Sequence, residues 1–400
     1  MGTAGRGLAE HDVILHHAAV AQHHPVVDDD MGAEAHVAAD LRGGAEHEAG
    51  SVHSQSDTKG RGGADTVPRM LNGAVLGLGM IGRHHARLLQ AMPGVRLAGA
   101  VDPRGDRFGA LANGVPLHDT LDALLAAGVP DFAIVAVPTE EHLDAVRALA
   151  GAGVHVLVEK PLAATAEEAR AIIDAVAAAG VHGAVGHVER FNPALLDLRR
   201  RVAEGQLGEP FLVATERVGP FPDRIRDVGV VKDLATHDLD LVGWLAQSPI
   251  ESVAAQTAHR MGREHEDLVV VNGRVASGLV FSATVDWLTP TKARRTRILG
   301  ERGMLLADTL TADLTFFANG DVVSEWGAAQ ALRGVSEGDA TRYALSRREP
   351  LLSELEAFCA LLRDEEHAPV VTLEEGLAAV VCAESVLASA GSGETVRVPA

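Results

Sequence analysis

Two short stretches carry side chains able to move protons. In Val158-Glu159-Lys160-Pro161 a lysine follows directly on an apolar run, which puts it at the carboxyl end of a strand, where ligands bind in open α/β sheets. Pro161 fixes the direction in which the chain leaves. Lys160 therefore reads as a cation held over a crevice, able to stabilise a developing alkoxide; an unplaced Lys-Pro would read as a solvated turn. In Val230-Val231-Lys232-Asp233-Leu234-Ala235-Thr236-His237-Asp238-Leu239-Asp240, Asp233 and His237 are four apart, and on a helix that spacing puts both side chains on one face. A carboxylate beside an imidazole makes an oriented base. The same pair also reads as a helix N-cap and a partly buried helix histidine, and the stretch alone does not choose.

A third stretch has the spacing of a phosphate cradle. Gly77-Leu78-Gly79-Met80-Ile81-Gly82 follows an apolar run and opens a helical pattern, the setting that gives a GxGxxG meaning. Gly77 permits the tight turn, Gly79 lets a pyrophosphate approach the backbone, and Gly82 lets helix pack on strand. Met80 and Ile81 complete a loop whose N–H groups face the phosphates at the helix N-terminus. Asp102 ends the second apolar run, twenty residues beyond Gly82, where a carboxylate accepts hydrogen bonds from the ribose hydroxyls and favours NAD. Arg104 and Arg107 stand close by and keep a 2′-phosphate, hence NADP, as the competing reading.

These residues need a scaffold that brings strand ends together. Apolar runs at 74–78, 97–101, 132–137, 154–158 and 181–185 alternate with helical patterns at 83–90, 120–127, 140–150 and 166–179. This rhythm predicts a mostly parallel sheet, a Rossmann doubly wound domain over 70–186. Beyond it the runs lengthen and alternate in polarity, at 211–218, 268–271, 278–287 and 295–299, with Asn272-Gly273 as a turn signal. They predict a second α/β domain over 187–400 with a largely antiparallel or mixed open sheet. Helical patterns at 351–362 and 373–390 close the chain and are expected to pack back on one of the domains.

Composition bounds the class. A chain of 400 residues exceeds one ordinary core, and 47% hydrophobic with 22% charged residues is the balance of a soluble globular protein. No apolar run approaches the roughly 18 residues of a membrane span, and the N-terminus lacks the continuous apolar middle of a secretory signal, so a cytoplasmic location is expected. A net charge of −20 argues against nucleic acid or an anionic membrane as partner. Cys359 and Cys382 are too few for a disulfide framework or zinc site and read as buried, reduced thiols; no metal is expected. Residues 1–69 have no Phe, Tyr or Trp and hold 8 of the 19 His, and are expected to be a disordered extension. Recognisable pattern begins just after Met70, so translation starting there is a further expectation.

Taken together the GLGMIGRHHA opening, Val137-Pro138-Thr139 with His142, Glu159-Lys160-Pro161 and the Asp233/His237 pair resemble the glucose-fructose oxidoreductase, inositol dehydrogenase and rhizopine-catabolism family, Gfo/Idh/MocA, over nearly everything from Met70 on. The resemblance implies catalytic positions at Lys160, Asp233 and His237. It also implies that Pro138, Thr139, His142, Glu159 and Lys160 join the glycines around the cofactor, and that the exposed sheet of the second domain forms a homodimer or homotetramer. Two segments, 186–193 (GHVERFNP) and 217–229 (RVGPFPDRIRDVG), are similar to UDP-sugar oxidoreductases of this family. They imply NAD-dependent oxidation of the C3 hydroxyl of UDP-N-acetylglucosamine, or of a related UDP-amino sugar, to the 3-keto sugar. In that mechanism His237 is the base, Lys160 stabilises the alkoxide and Asp233 orients His237. Arg190, Arg217, Arg224 and Arg226 could supply the diphosphate with bidentate donors, surface solvation being the other reading. Asn192 could hold a sugar group or cap the next helix. The alternatives are an NADPH-dependent ketoreductase of a nucleotide-bound deoxysugar, a dehydrogenase of a free polyol such as inositol, and a non-catalytic dinucleotide-binding regulator. A complete acid–base set speaks against the regulator.

Overall fold

Successive residues of the first apolar runs go to opposite faces of one sheet, and both faces are covered. Ala74, Leu76, Ala133, Val135, Val156 and Val158 face one core, while Val75, Phe132, Ile134 and Leu157 face the other, as period-two alternation demands. Burial on both sides makes these runs uniformly apolar, the mark of a parallel sheet. The computed structural model describes residues 69–222, 228–320, 337–365 and 368–399, all belonging to the unit Asp57–Ala400. The extension expected over 1–69 lies, but for Arg69, outside the described residues; so do Arg224 and Arg226.

The first sheet holds β1 (Leu71–Leu76), β2 (Val95–Val101), β3 (Leu117–His118), β4 (Phe132–Val135), β5 (His155–Glu159) and β6 (Gly183–Gly186) in the order β3-β2-β1-β4-β5-β6, every pair parallel. Its crossovers use α1 (Gly82–Ala91), α2 (Leu121–Ala127), α3 (His142–Gly151) and α4 (Ala166–Ala179). Five strands were expected and six form, since β3 has two residues, too few to show a period. Chain order reverses between β1 and β4, and ligands of such sheets bind outside that point.

The second sheet has nine strands: β7 (Pro210–Pro220), β8 (Ile250–Ala258), β9 (Leu268–Val275), β10 (Val280–Asp286), β11 (Leu288–Gly300), β12 (Gly303–Asp308), β13 (Asp313–Asn319), β14 (Glu337–Tyr343) and β15 (Val396–Arg397). Their order is β14-β13-β12-β11-β7-β10-β9-β8-β15. Among the described residues only β7 and β10 of this sheet pair in parallel, so the sheet is mixed. One face packs on α5 (Pro193–Ala203), α6 (Thr236–Ala246) and α8 (Leu373–Ser392) through Leu195, Leu198, Leu241, Leu245 and Val386. Of the closing helices, α7 (Pro350–Leu361) returns to the first sheet: Leu351, Leu355 and Phe358 join its core, and the Phe358 ring meets Phe132 edge-on with centroids 5.8 Å apart. Cys359 and Cys382 are buried and free.

Asn272-Gly273 does not turn the chain. Both residues lie inside β9, opposite Ser282 and Phe281, and the reversal comes at Ala276–Gly278, where Gly278 N–H donates to Val275 O at 2.8 Å. Gly273 is required for another reason: a Cβ there would stand 2.3 Å from the Phe281 ring and 2.4 Å from Ser252 O. The glycine makes room for a core aromatic across the sheet, a use of strand glycine that resembles a turn signal in sequence.

Candidate active site

The glycine loop leaves β1 with Gly77 at φ +85°, a left-handed conformation that disfavours any side chain. A Cβ on Gly77 would also meet Ala136 O at 2.5 Å. Gly82 is tighter still, 1.9 Å from Gly77 O, whereas a Cβ on Gly79 would meet nothing within 4 Å. Gly77 and Gly82 are thus demanded by the fold, and Gly79 keeps the space into which a pyrophosphate fits. Met80 and Ile81 are half-buried between them. Asp102 is buried, its Oδ2 accepting from Leu78 N–H at 2.9 Å and its Oδ1 from Arg104 N–H at 2.9 Å. Burial pushes its carboxyl up, but these two N–H groups and the Arg104 guanidinium outweigh that and hold it below the usual range. A fixed anion at the end of β2 fits NAD.

Pro138 and Thr139 begin a 3₁₀ turn, Thr139–Glu141, just past β4, at the same sheet edge as the glycine loop and Lys160. His142 is buried, with Nδ1 3.1 Å from Leu162 O and Nε2 3.1 Å from Val137 O. It braces the loops after β4 and β5 against each other and offers no ring nitrogen to a ligand. Glu159 turns inward as well: its Oε1 lies 2.6 Å from His85 Nε2 on α1.

Lys160 reaches across to the segment before α6. Its Nζ donates to Asp233 O at 2.6 Å and approaches Asp233 Oδ1 at 3.4 Å. Asp233 and His237 stand four apart where a π-helical turn, Val231–Ala235, runs into α6. No hydrogen bond joins the two side chains among the described residues, and Asp233 does not cap α6, whose first turn has no side-chain cap. The carboxylate serves the lysine instead of the histidine. His237 is buried, with Nδ1 free of hydrogen bonds among the described residues. Burial first, then the charges of Lys160 and Arg217, hold its imidazole well below the ordinary 6.5, leaving the neutral form that accepts a proton.

His187, just past β6, was not among the expected site residues. It is buried, neither ring nitrogen hydrogen-bonded among the described residues and Nδ1 3.7 Å from Asp240 Oδ2, and meets the His237 ring edge-on, centroids 6.4 Å apart. Its imidazole is lowered by burial, against the pull of Asp240. Nothing in the local spacing pairs His187 with His237, 50 positions on; its one signal is its place in the 186–193 segment singled out by resemblance.

Two of the expected substrate arginines, Arg190 and Arg217, have internal partners. Arg190 is buried, its Nε and Nη2 both on Asp240, at 2.8 and 2.5 Å, and its Nη1 on Glu375 at 2.6 Å. Arg217 is buried between Asp238, 2.6 Å, and Glu189, 2.8 Å. Both guanidinium groups balance internal carboxylates, which an arginine fork does well. Asn192 is the α5 cap: its Oδ1 accepts from Ala194 N–H at 3.0 Å and its Nδ2 donates to Thr309 O at 3.1 Å.

This geometry has relatives. Residues 71–187 match the family model described as an oxidoreductase family with an NAD-binding Rossmann fold, and residues 195–306 match the GFO/IDH/MocA C-terminal domain. The chain is 30% identical over 291 residues to UDP-N-acetylglucosamine 3-dehydrogenase of Acidithiobacillus ferrooxidans, spanning 71% of this chain and 86% of that protein. A solved structure of that enzyme, GnnA, superposes with a TM-score of 0.68 at 26% identity, covering 80% of this chain and 98% of that one. An inositol 2-dehydrogenase of Rhizobium meliloti is 25% identical over 337 residues, 81% of this chain and 98% of its own. WlbA of Bordetella pertussis, solved with NADH and UDP-GlcNAcA, shares the fold at 24% identity and TM-score 0.68, covering 83% of this chain and all of that one. On these matches the chain belongs to the Gfo/Idh/MocA family and is an NAD-binding oxidoreductase that acts on hydroxyl groups.

Proposed function

We propose that the protein oxidises the C3 hydroxyl of UDP-N-acetylglucosamine, or of a related UDP-amino sugar, to the 3-keto sugar. The observation that carries this reading is the meeting of the Lys160 ammonium, Asp233 and an unprotonated His237. Lys160 leaves the same sheet edge as the glycine loop. The likeness to the Acidithiobacillus enzyme supports the substrate class. NAD, when bound, supplies the hydride acceptor. His237 takes the hydroxyl proton, and Lys160 steadies the alkoxide as it develops. Asp233, through its carbonyl and carboxylate, aims Lys160. Arg224 and Arg226 are the diphosphate candidates in this reading. The working form is a cytoplasmic homodimer or homotetramer joined through the second sheet's outer face, where Val270, Val280 and Leu299 stand exposed.

Oxidation of a free polyol is the second reading, and one observation favours it: Arg190 and Arg217 already balance internal carboxylates and need no anionic substrate. NADH formation with UDP-N-acetylglucosamine, free N-acetylglucosamine and inositol separates the two. NADH from the UDP-sugar alone is the expected result. NADH from inositol alone would transfer the assignment to the polyol, and none from any of the three would overturn both.

A further inference from the structure

Glu159 presents its backbone to the active-site lysine and its carboxylate to the protein interior. Oε1 is 2.6 Å from His85 Nε2, and Oε2 accepts the Lys160 N–H at 3.2 Å. From α7, Glu354 brings a second carboxyl so close that one ligand atom from each of His85, Glu159 and Glu354 lies within 4.8 Å of the others. All three residues are buried, at 0%, 8% and 2% exposure. Gly186 leaves the room: a Cβ there would stand 3.1 Å from the Glu159 carboxylate. Both oxygens of Glu354 are buried without a hydrogen-bond partner among the described residues.

Two ionised carboxylates at this range, out of water, cannot both persist without a counter-charge. A divalent ion or a proton could supply it. The ion is the poorer fit, because His85 Nε2 and Glu159 Oε1 already hydrogen-bond to each other and would have to part to ligate it. A proton on Glu354 displaces nothing. Burial first, then the Glu159 charge, push the Glu354 carboxyl well above the usual range, which agrees with the geometry.

We propose that Glu354 is a neutral carboxylic acid that donates its O–H to Glu159, closing a buried brace, His85–Glu159–Glu354, that fixes Lys160 against the cofactor helix α1. Glu159 then accepts from three donors: His85, the Lys160 N–H and Glu354. The unpartnered Glu354 carboxyl is free to turn toward it. His85 and Glu354 are positioning residues, joining the helix that follows the glycine loop to the strand end that carries the lysine. The brace rests on Lys160 acting in the reaction, but the protonation state is read without turnover, so failure of one is distinguishable from failure of the other.

The test is infrared spectroscopy of the full-length protein at neutral pH with carbon-13 in the glutamate carboxyl groups. The expected result is a carboxylic-acid carbonyl band that moves with the label and vanishes in Glu354→Gln; Asp238, which burial also raises, is not labelled. Glu354→Gln keeps an N–H donor and should hold kcat within about threefold of wild type. Glu354→Leu has none and should lose about tenfold or more in kcat with little change in KM for NAD, as a slightly misplaced catalytic group does. Three results would overturn the brace: no labelled acid band in the wild-type protein, a band that survives in Glu354→Gln, or one divalent ion per chain by elemental analysis. Wild-type activity in Glu354→Leu would remove its positioning role. Should Glu354→Leu fail to fold, the wild-type spectrum still decides.

Discussion

At the scale of single residues the site is a question of which charge meets which. In the proposed mechanism Lys160 steadies an alkoxide and His237 takes a proton, so Lys160→Ala and His237→Ala should each lower kcat at least about 100-fold, measured as NADH formation. Near-normal turnover in both would dismiss the assignment. His237 must be neutral to act, and burial with the Lys160 charge holds its imidazole well below 6.5. The pH profile of kcat/KM should therefore stay level through neutrality and fall only at pH well below 6.5, as the imidazole finally protonates. An acid limb centred at 6.5 or above would contradict the burial. Arg190 answers to a different measurement. In Arg190→Met the buried Asp240 loses its guanidinium partner, and breaking such a pair costs about 3 to 5 kcal/mol, read as a shifted denaturant midpoint. Unchanged stability with loss of UDP-sugar binding would restore Arg190 to the substrate.

At the scale of elements, the glycine loop separates a demand of the fold from a demand of the ligand. Gly82→Ala drives a Cβ to 1.9 Å from Gly77 O, backbone against backbone, and should destabilise by about 1 to 3 kcal/mol or more. Gly79→Ala meets nothing within 4 Å and should leave the melting temperature almost unchanged while raising KM for NAD, since the methyl group fills the space the pyrophosphate needs. Thermal melts and NAD titrations of the two variants should give opposite patterns. The same distinction explains Asn272-Gly273, where the glycine answers to the Phe281 ring and not to a turn.

At the scale of the whole molecule, buried histidines set the response to acid. Burial lowers His142, His187 and His237 below 6.5. As pH falls through 6.5 the unfolded chain takes up protons that the folded one refuses, and stability present above 6.5 is lost, by up to about 1.4 kcal/mol per pH unit for each imidazole. Glu354, raised well above the usual carboxyl range by burial and Glu159, acts with the opposite sign, its neutral form favouring the folded chain as pH falls. The melting temperature should therefore drop between pH 7 and 5.5, and drop more steeply in Glu354→Gln; a flat profile in both would mean that these imidazoles are not buried neutral. By itself the sequence determined the parallel sheet, the glycine loop with Asp102, and Lys160 at a strand end, because runs and motifs of that kind are local and each residue reports on neighbours a few positions away. Only the tertiary structure decided that Asp233 serves Lys160, 73 positions away, and that Arg190 belongs to Asp240 and Glu375, 50 and 185 away. It also brought His187 to His237 and Glu354 to Glu159. These partners come from different elements, and a buried charge takes whichever counter-charge the packing brings within reach, a choice that local spacing does not record.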